Sequence, residues 1–243
     1  QQRQTEQYIA TRTTNYSNKS RTIVIDPGHG GKDPGAMSGK RREKNATLSI
    51  AKKLYTLLKD RGYKVYITRN KDRYISLKYR TKMANDKNAD LFISIHANAV
   101  PKSKAKKAKG LETFFLSPAR SARAKRVAAA ENKGDIDAMS WSSKESFLTV
   151  LNQGKITQSN KLAIDIHKNM LYNLRKNYSG VVDSGVREGP FWVLVGAQMP
   201  SILIEIGYIT HPVEGPRMFT SKYQNLLATG IANGIDSYFA KNQ

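Results

Sequence analysis

A chain of 243 residues, 39% of them apolar, has room for one catalytic domain with an elaboration, or for two small domains, around a sizeable core. The lack of cysteine excludes disulfides, thiolate metal sites and cysteine nucleophiles together, so any metal site must use carboxylates and the four histidines. A net charge of +22 calls for a polyanionic partner, either nucleic acid or anionic wall polymer, and no run of about 18 apolar residues exists to span a membrane.

Residues 1–20 are rich in Gln, Thr, Asn and Ser and read as a flexible linker, with no apolar core of a secretory signal. Residues 21–243 read as the folded domain. Thr22-Ile23-Val24-Ile25 predicts a strand that ends in the loop Asp26-Pro27-Gly28-His29-Gly30-Gly31. From Glu43 to Arg61 the residues Leu48, Ala51, Leu54, Tyr55 and Leu58 share one helical face, and Gly62 is the stop signal. A strand at Tyr63 to Thr68, a helix at Leu77 to Lys87 and a strand at Leu91 to Ile95 follow, the last ending at His96-Ala97-Asn98. This rhythm predicts an α/β fold, a mostly parallel sheet covered by helices on both faces.

The rhythm then breaks. Lys102 to Lys109 is a basic loop without the interleaved aromatics that would stack bases, and Leu111 to Leu116 is a strand. Residues 118–176 read as a helical insertion between strands, punctuated by Gly134 and Gly154. Strands are expected again at Phe191 to Val195 and Ser201 to Ile206, and a helix from Ser221 to Phe239 closes the chain. No internal repeat is visible.

Open α/β sheets place their active crevice outside the carboxyl ends of the strands. His29 follows the first strand, His96 ends the third, and Glu205 lies near the end of Ile202-Leu203-Ile204-Glu205-Ile206, while Glu43 begins the first long helix and can return to the same edge. Two imidazoles and one carboxylate suit a hydrolytic zinc site with an open position. A second carboxylate must then move the proton, and burial of Glu205 among Ile and Leu should raise its pKa. Each placement alone has an ordinary reading: a loop hydrogen-bonder for either histidine, a helix-dipole carboxylate for Glu43, an arginine partner for Glu205. Four at one edge make coincidence the weaker account without excluding it.

At these residues the chain resembles a known family. Ile23-Val24-Ile25-Asp26-Pro27-Gly28-His29-Gly30-Gly31-Lys32-Asp33-Pro34-Gly35-Ala36 is similar to the opening motif of the zinc-dependent N-acetylmuramoyl-L-alanine amidases. Glu43 in Glu43-Lys44-Asn45-Ala46-Thr47-Leu48 resembles the family's glutamate ligand, and Phe92 to Ala99 its second histidine motif. Pro200 to Tyr208 resembles the motif of the catalytic glutamate, and the likeness covers residues 21–240. It implies one zinc ion on His29, Glu43 and His96, Glu205 as acid–base, and hydrolysis of the amide between N-acetylmuramic acid and L-alanine in peptidoglycan. It also implies export to the periplasm and a role in cell separation or wall remodelling. Leu194-Val195-Gly196-Ala197 departs from the basic and polar residues frequent before the glutamate strand, whereas Arg187 matches a basic position. Arg187, Asn98 and Arg80 are the candidate substrate contacts, with a structural ion pair the competing reading for Arg80 and for Arg69. Relatives with a helical insertion are held inactive by a helix whose glutamate fills the water position on zinc. By this resemblance Ala119 to Lys133 is that helix, Glu131 the inhibitory fourth ligand, and a partner protein the activator. Asp135, Asp137 and Glu145 are weaker candidates, and an exposed helix with Glu131 offsetting basic charge is the plain alternative.

Three rivals stand beside this reading: a silent wall-binding module, a nucleic-acid binder motivated by charge, and a zinc carboxypeptidase. The four acidic and imidazole placements argue against nucleic acid as the partner. Gly35-Ala36-Met37-Ser38-Gly39-Lys40 is one residue short of a phosphate loop and is set aside, since Arg41 replaces the metal-binding hydroxyl. His167 is expected on the polar face of a helix from Leu162 to Leu174, and His211 in a turn before Pro212.

Overall fold

Thr22–Pro27 carries no exposed residue and forms β1, the seed of a sheet buried on both faces. The computed structural model describes residues 21–118, 120–133 and 153–242. After β1 come the short strands β2 (Met37–Ser38) and β3 (Arg41–Arg42), helix α1 (Glu43–Asp60), β4 (Lys64–Ile67), α2 (Leu77–Asp86) and β5 (Leu91–Asn98). Then follow β6 (Leu111–Leu116), α3 (Ala122–Glu131), α4 (Gln153–Arg175), β7 (Asp183–Gly189), β8 (Ser201–Tyr208), the short α5 (Glu214–Arg217) and α6 (Ser221–Lys241).

Six strands pair in the order β4-β1-β5-β8-β6-β7, and β2 pairs with β3 apart from them. β1 runs parallel to β4 and β5, and β5 runs parallel to β8. β6 is antiparallel to β8 and parallel to β7, which makes the sheet mostly parallel. Alternation along the strands splits the core between two faces. Ile23, Ile25, Ile93, Ile95, Ile202 and Ile204 face a layer that includes Leu54 and Leu58 of α1, Ile166 and Met170 of α4, and Ile231 and Ile235 of α6. Val24, Phe92, Phe114 and Leu203 face the other way, onto Ala84 of α2, Ala124 and Ala128 of α3, and Phe191. Helices therefore cover both faces. Close approach of α6 to α4 needs Gly234, where a Cβ would lie 2.3 Å from the Cα of Ile166.

One expectation is corrected. Phe191 to Val195 is not a strand: Trp192–Leu194 is a 3₁₀ turn that buries Phe191, Val193 and Leu194 in the smaller core. The missing strand lies earlier, at β7, and its sequence DSGVREG has almost no apolar alternation. The segment 118–176 carries α3 and α4 between β6 and β7. Its second half, α4, lies in the main core layer with Leu162, Ala163, Ile166, Met170 and Leu174 fully buried, and Gly154 falls inside this helix rather than ending one. Gly134, Asp135, Asp137 and Glu145 lie outside the described residues, as does the expected linker 1–20.

Candidate metal centre

The loop after β1 sets the first ligand. His29 has a left-handed backbone, φ 59°, and Gly30 and Asp33 close the turn through two backbone hydrogen bonds of 2.9 and 3.1 Å. Gly28 must lack a side chain, because a Cβ there would meet the His96 ring at 2.4 Å. Two buried arginines hold the loop from beneath. Arg80 donates to Asp26 Oδ1 at 2.7 Å and to the carbonyls of Pro27 and His29 at 2.9 and 3.0 Å. Arg69 donates to the carbonyls of Pro27, Gly28 and Lys44 at 3.0, 2.8 and 2.9 Å. Arg80 is only 2% exposed, so the expectation that it meets substrate is corrected: its guanidinium is committed to the loop. Arg69 has the same structural role.

His29, Glu43, His96 and Glu131 converge, each offering one ligand atom within 4.8 Å of all the others. His29 Nε2 lies 3.2 Å from Glu43 Oε2 and from Glu131 Oε2. His96 Nδ1 lies 3.2 Å from Glu43 Oε1 and 2.7 Å from Glu131 Oε2. Backbone N–H groups aim the Glu43 carboxylate: Ala36 donates to Oε2 at 2.7 Å and Ala97 to Oε1 at 2.8 Å. The imidazole nitrogens are close to carboxylates yet badly aligned with them. Among the described residues His29 Nε2, His96 Nδ1 and Glu131 Oε2 are buried without a hydrogen-bond partner. Buried orphan atoms on two imidazoles and on Glu131, beside the backbone-aimed Glu43 carboxylate, are a donor set that fits a divalent cation. Burial disfavours charge on His29, but Glu43, Asp33 and Glu131 outweigh it and raise its pKa well above the usual value. Burial also opposes charge on His96, and Glu131 and Glu43 override it to lift the pKa to about 9. A cation at the same point would take over the neutralisation that these protons provide.

Glu205 on β8 stands next to His96 in register on one side and next to Glu112 of β6 on the other. Both its carboxylate oxygens are buried and unpartnered among the described residues. Burial first, then the charges of Glu131, Glu43 and Glu112, push its pKa well above the carboxylate range. A carboxyl so placed holds a proton more readily than an exposed glutamate does.

Several functional neighbours escaped the sequence reading. Asp33, four residues after His29, has Oδ2 2.8 Å from His29 Nδ1. Glu112 is fully buried and pairs with Arg123 of α3 at 2.9 Å and with Arg187 of β7 at 2.8 Å. A lone glutamate in the apolar strand Leu111–Leu116 was the available signal, of the same kind that singled out Glu205. Arg187 is thus tied to Glu112 with its side chain 40% exposed, and Asn98 ends β5 with Nδ2 buried and unpartnered among the described residues. His167 is buried rather than on a polar face, bonded to Thr113 Oγ1 and Asp183 Oδ1 at 2.9 Å each. His211 caps a turn, accepting from the N–H groups of Val213 and Glu214 at 3.1 Å.

The void beside His29, His96 and Glu131 measures about 10 Å³, about enough for one water. A larger cavity of about 650 Å³ lies between α4 and β7 and includes none of the four converging residues. No helix among the described residues is long and apolar enough to cross a membrane.

Residues 23–237 match the family described as N-acetylmuramoyl-L-alanine amidase. N-acetylmuramoyl-L-alanine amidase AmiA of Escherichia coli (strain K12) is 33% identical over 228 residues, covering 92% of this chain and 78% of that protein. The crystal structure of N-acetylmuramoyl-L-alanine amidase from Clostridium difficile 630 superimposes with a TM-score of 0.69 at 33% identity, covering 93% of this chain and 100% of that one. The CwlD amidase from Clostridioides difficile, solved in complex with the GerS lipoprotein, gives a TM-score of 0.67 at 25% identity, covering 91% of this chain and 100% of that one.

Proposed function

The chain belongs to the N-acetylmuramoyl-L-alanine amidase family, and we propose that it works as a zinc-dependent peptidoglycan amidase held in an autoinhibited state. The observation that carries this reading is the convergence of His29, Glu43, His96 and Glu131 on one point, where His29 Nε2 and His96 Nδ1 have no hydrogen-bond partner among the described residues. His29, Glu43 and His96 are the resident ligands and zinc is the cation. When bound, the ion supplies positive charge that polarises the scissile carbonyl and acidifies water. Glu205 takes a proton from the attacking water on a carboxylate oxygen and returns it to the departing amine of L-alanine. Its apolar burial and acidic neighbours raise its affinity for the proton it receives and returns. Arg187, 40% exposed beside Glu112, and Asn98 at the end of β5 are the residues assigned to contact the stem peptide.

Glu131 occupies the fourth corner of the cluster. With zinc bound its carboxylate would offset the ion's charge and compete with water for the ion, and α3 leaves a void of only about 10 Å³. Turnover requires α3 to leave, under a partner protein that binds the open form better than the closed one. Residues 21–243 act as one catalytic domain with α3 as its regulatory part. The setting is the periplasm, and the role is wall cleavage in cell separation or remodelling.

Digestion of purified peptidoglycan with and without chelator, followed by mass analysis, tests the proposal. Chelator-sensitive release of stem peptides with a free L-alanine amine is the expected result. Loss of terminal D-alanine instead would make the protein a carboxypeptidase, and undiminished activity after complete metal removal would end the zinc assignment.

A further inference from the structure

α3 is held by few apolar contacts. Of its ten residues only Ala124 and Ala128 are buried, and both have small side chains. With only half-buried Val127 packed beside them, the helix gains modestly from the hydrophobic effect, so polar anchors contribute to its position. The structure has one at each end. At the N-terminal end Arg123 Nε and Nη2 donate to Glu112 Oε1 and Oε2, each at 2.9 Å, and Nη2 also reaches Tyr208 Oη at 2.7 Å. At the C-terminal end Asn132 Nδ2 donates to the Pro190 carbonyl at 3.0 Å, and the Trp192 N–H donates to Asn132 Oδ1 at 2.9 Å. Glu131 lies between these anchors, next to Asn132.

We propose that Arg123 and Asn132 are positioning residues that clamp α3 at both ends and so hold Glu131 against His29 and His96. The proposal rests on the autoinhibited reading above and names what sets the balance between closed and open forms. The Arg123 fork is the stronger anchor, because two of its nitrogens meet both oxygens of a buried carboxylate. Glu112 does not lose its only counter-charge when α3 departs, since Arg187 of β7 stays on it at 2.8 Å. Opening therefore strands no bare charge in the core, the cost that makes most buried ion pairs hard to break. Asn132 likewise pairs with backbone groups next to the 3₁₀ turn Trp192–Leu194, where water can take its place. The clamp is tight when made and inexpensive to release.

The test uses the full chain and four variants, Arg123→Ala, Arg123→Lys, Asn132→Ala and Glu131→Ala, with peptidoglycan digestion, zinc content and amide hydrogen exchange as readouts. Arg123 is 37% exposed near the helix start, so its removal should leave the fold intact. Arg123→Ala and Asn132→Ala should each raise partner-free digestion several-fold, with zinc retained, as differential stabilisation of the closed state is lost. Arg123→Lys should fall between wild type and Arg123→Ala, because a single ammonium cannot bridge both carboxylate oxygens and the Tyr208 hydroxyl. Exchange should speed up in α3 and stay unchanged in β1, β5 and β8. Arg123→Ala combined with Glu131→Ala should be no faster than Glu131→Ala alone, since both act through one contact. If Glu131→Ala is fast while both clamp variants digest and exchange like wild type, the clamp is wrong and the autoinhibited reading stands. Additive activity in the double variant would also overturn it. If Glu131→Ala is itself no faster than wild type, autoinhibition falls, and the clamp with it.

Discussion

His29 Nδ1 and Asp33 Oδ2 lie 2.8 Å apart, and a carboxylate can only accept, so the imidazole proton sits on Nδ1 and the Nε2 lone pair points at the ligand cluster. Asp33 is itself held by the Gly35 N–H, 3.0 Å from Oδ1. An aspartate that fixes tautomer and ring angle in this way tightens metal binding without touching the metal. Asp33→Ala should weaken zinc affinity about 10- to 100-fold, measured by competition with a chelator of known affinity. Unchanged affinity would show that the loop alone orients His29.

Removing a ligand should act more severely. His96→Ala or His29→Ala leaves too few protein ligands to retain zinc through purification. Elemental analysis is the readout, and full occupancy in both variants would refute the ligand set.

Glu205→Gln separates chemistry from binding. Among the described residues both carboxylate oxygens are buried without a hydrogen-bond partner, so an amide of the same size breaks no hydrogen bond there. Zinc content should match wild type while turnover falls about 100-fold or more. Loss of zinc from this variant would make Glu205 a ligand.

Glu131→Ala should keep zinc and digest peptidoglycan faster than wild type without a partner, because three ligands remain and the fourth position opens. A rate equal to or below wild type in a zinc-loaded protein would remove Glu131 from the inhibitory role.

Acid should weaken the fold through Asp26. Burial alone would raise the pKa of this carboxyl, but Arg80 and hydrogen bonds from Thr68, Arg80 and Ser94 hold it below the usual carboxylate value. A depressed folded-state pKa means that the unfolded chain binds the proton first. The stabilisation is therefore complete above the unfolded value of about 4 and is lost as the pH falls below it toward the folded value. Asp26→Asn leaves Arg80 buried without its counter-charge and should cost about 3–5 kcal/mol at neutral pH. Melting curves between pH 7 and pH 3 should show a shallower acid decline for the variant than for wild type. Parallel declines would place the acid sensitivity elsewhere.

What could be read in advance follows from where physics leaves a mark on sequence. β1, β5 and β8 are buried on both faces, so each is a continuous apolar run, and the polar residues interrupting or ending them stand out as His29, His96 and Glu205. β7 is an edge strand with mostly half-exposed residues, and nothing in DSGVREG announces pairing with β6. Phe191 to Leu194 shows the reverse: an apolar run whose burial is satisfied by a 3₁₀ turn under the smaller core. α4 was legible as a helix but not as a core layer, because its place depends on Gly234 of a helix some 60 residues later, by sequence position. Asp33 and Arg123 stayed hidden for a related reason: their roles are defined by partners, and one charged residue among 60 does not name its partner.

The position of β8 has a consequence for when the protein becomes dangerous to a wall. Residues His29, Glu43 and His96 all emerge within the first 96 residues, but Glu205 arrives on a strand that must slot between β5 and β6. Until that late strand is seated, β5 and β6 have no bond to one another, and the acid–base carboxylate has no place beside His96. Pairings over such long sequence separations form late and slowly. A growing or half-threaded chain can gather its ligands early and still lack the group that moves the proton. Glu205 is thus the last of these residues to be made, after α3 as well.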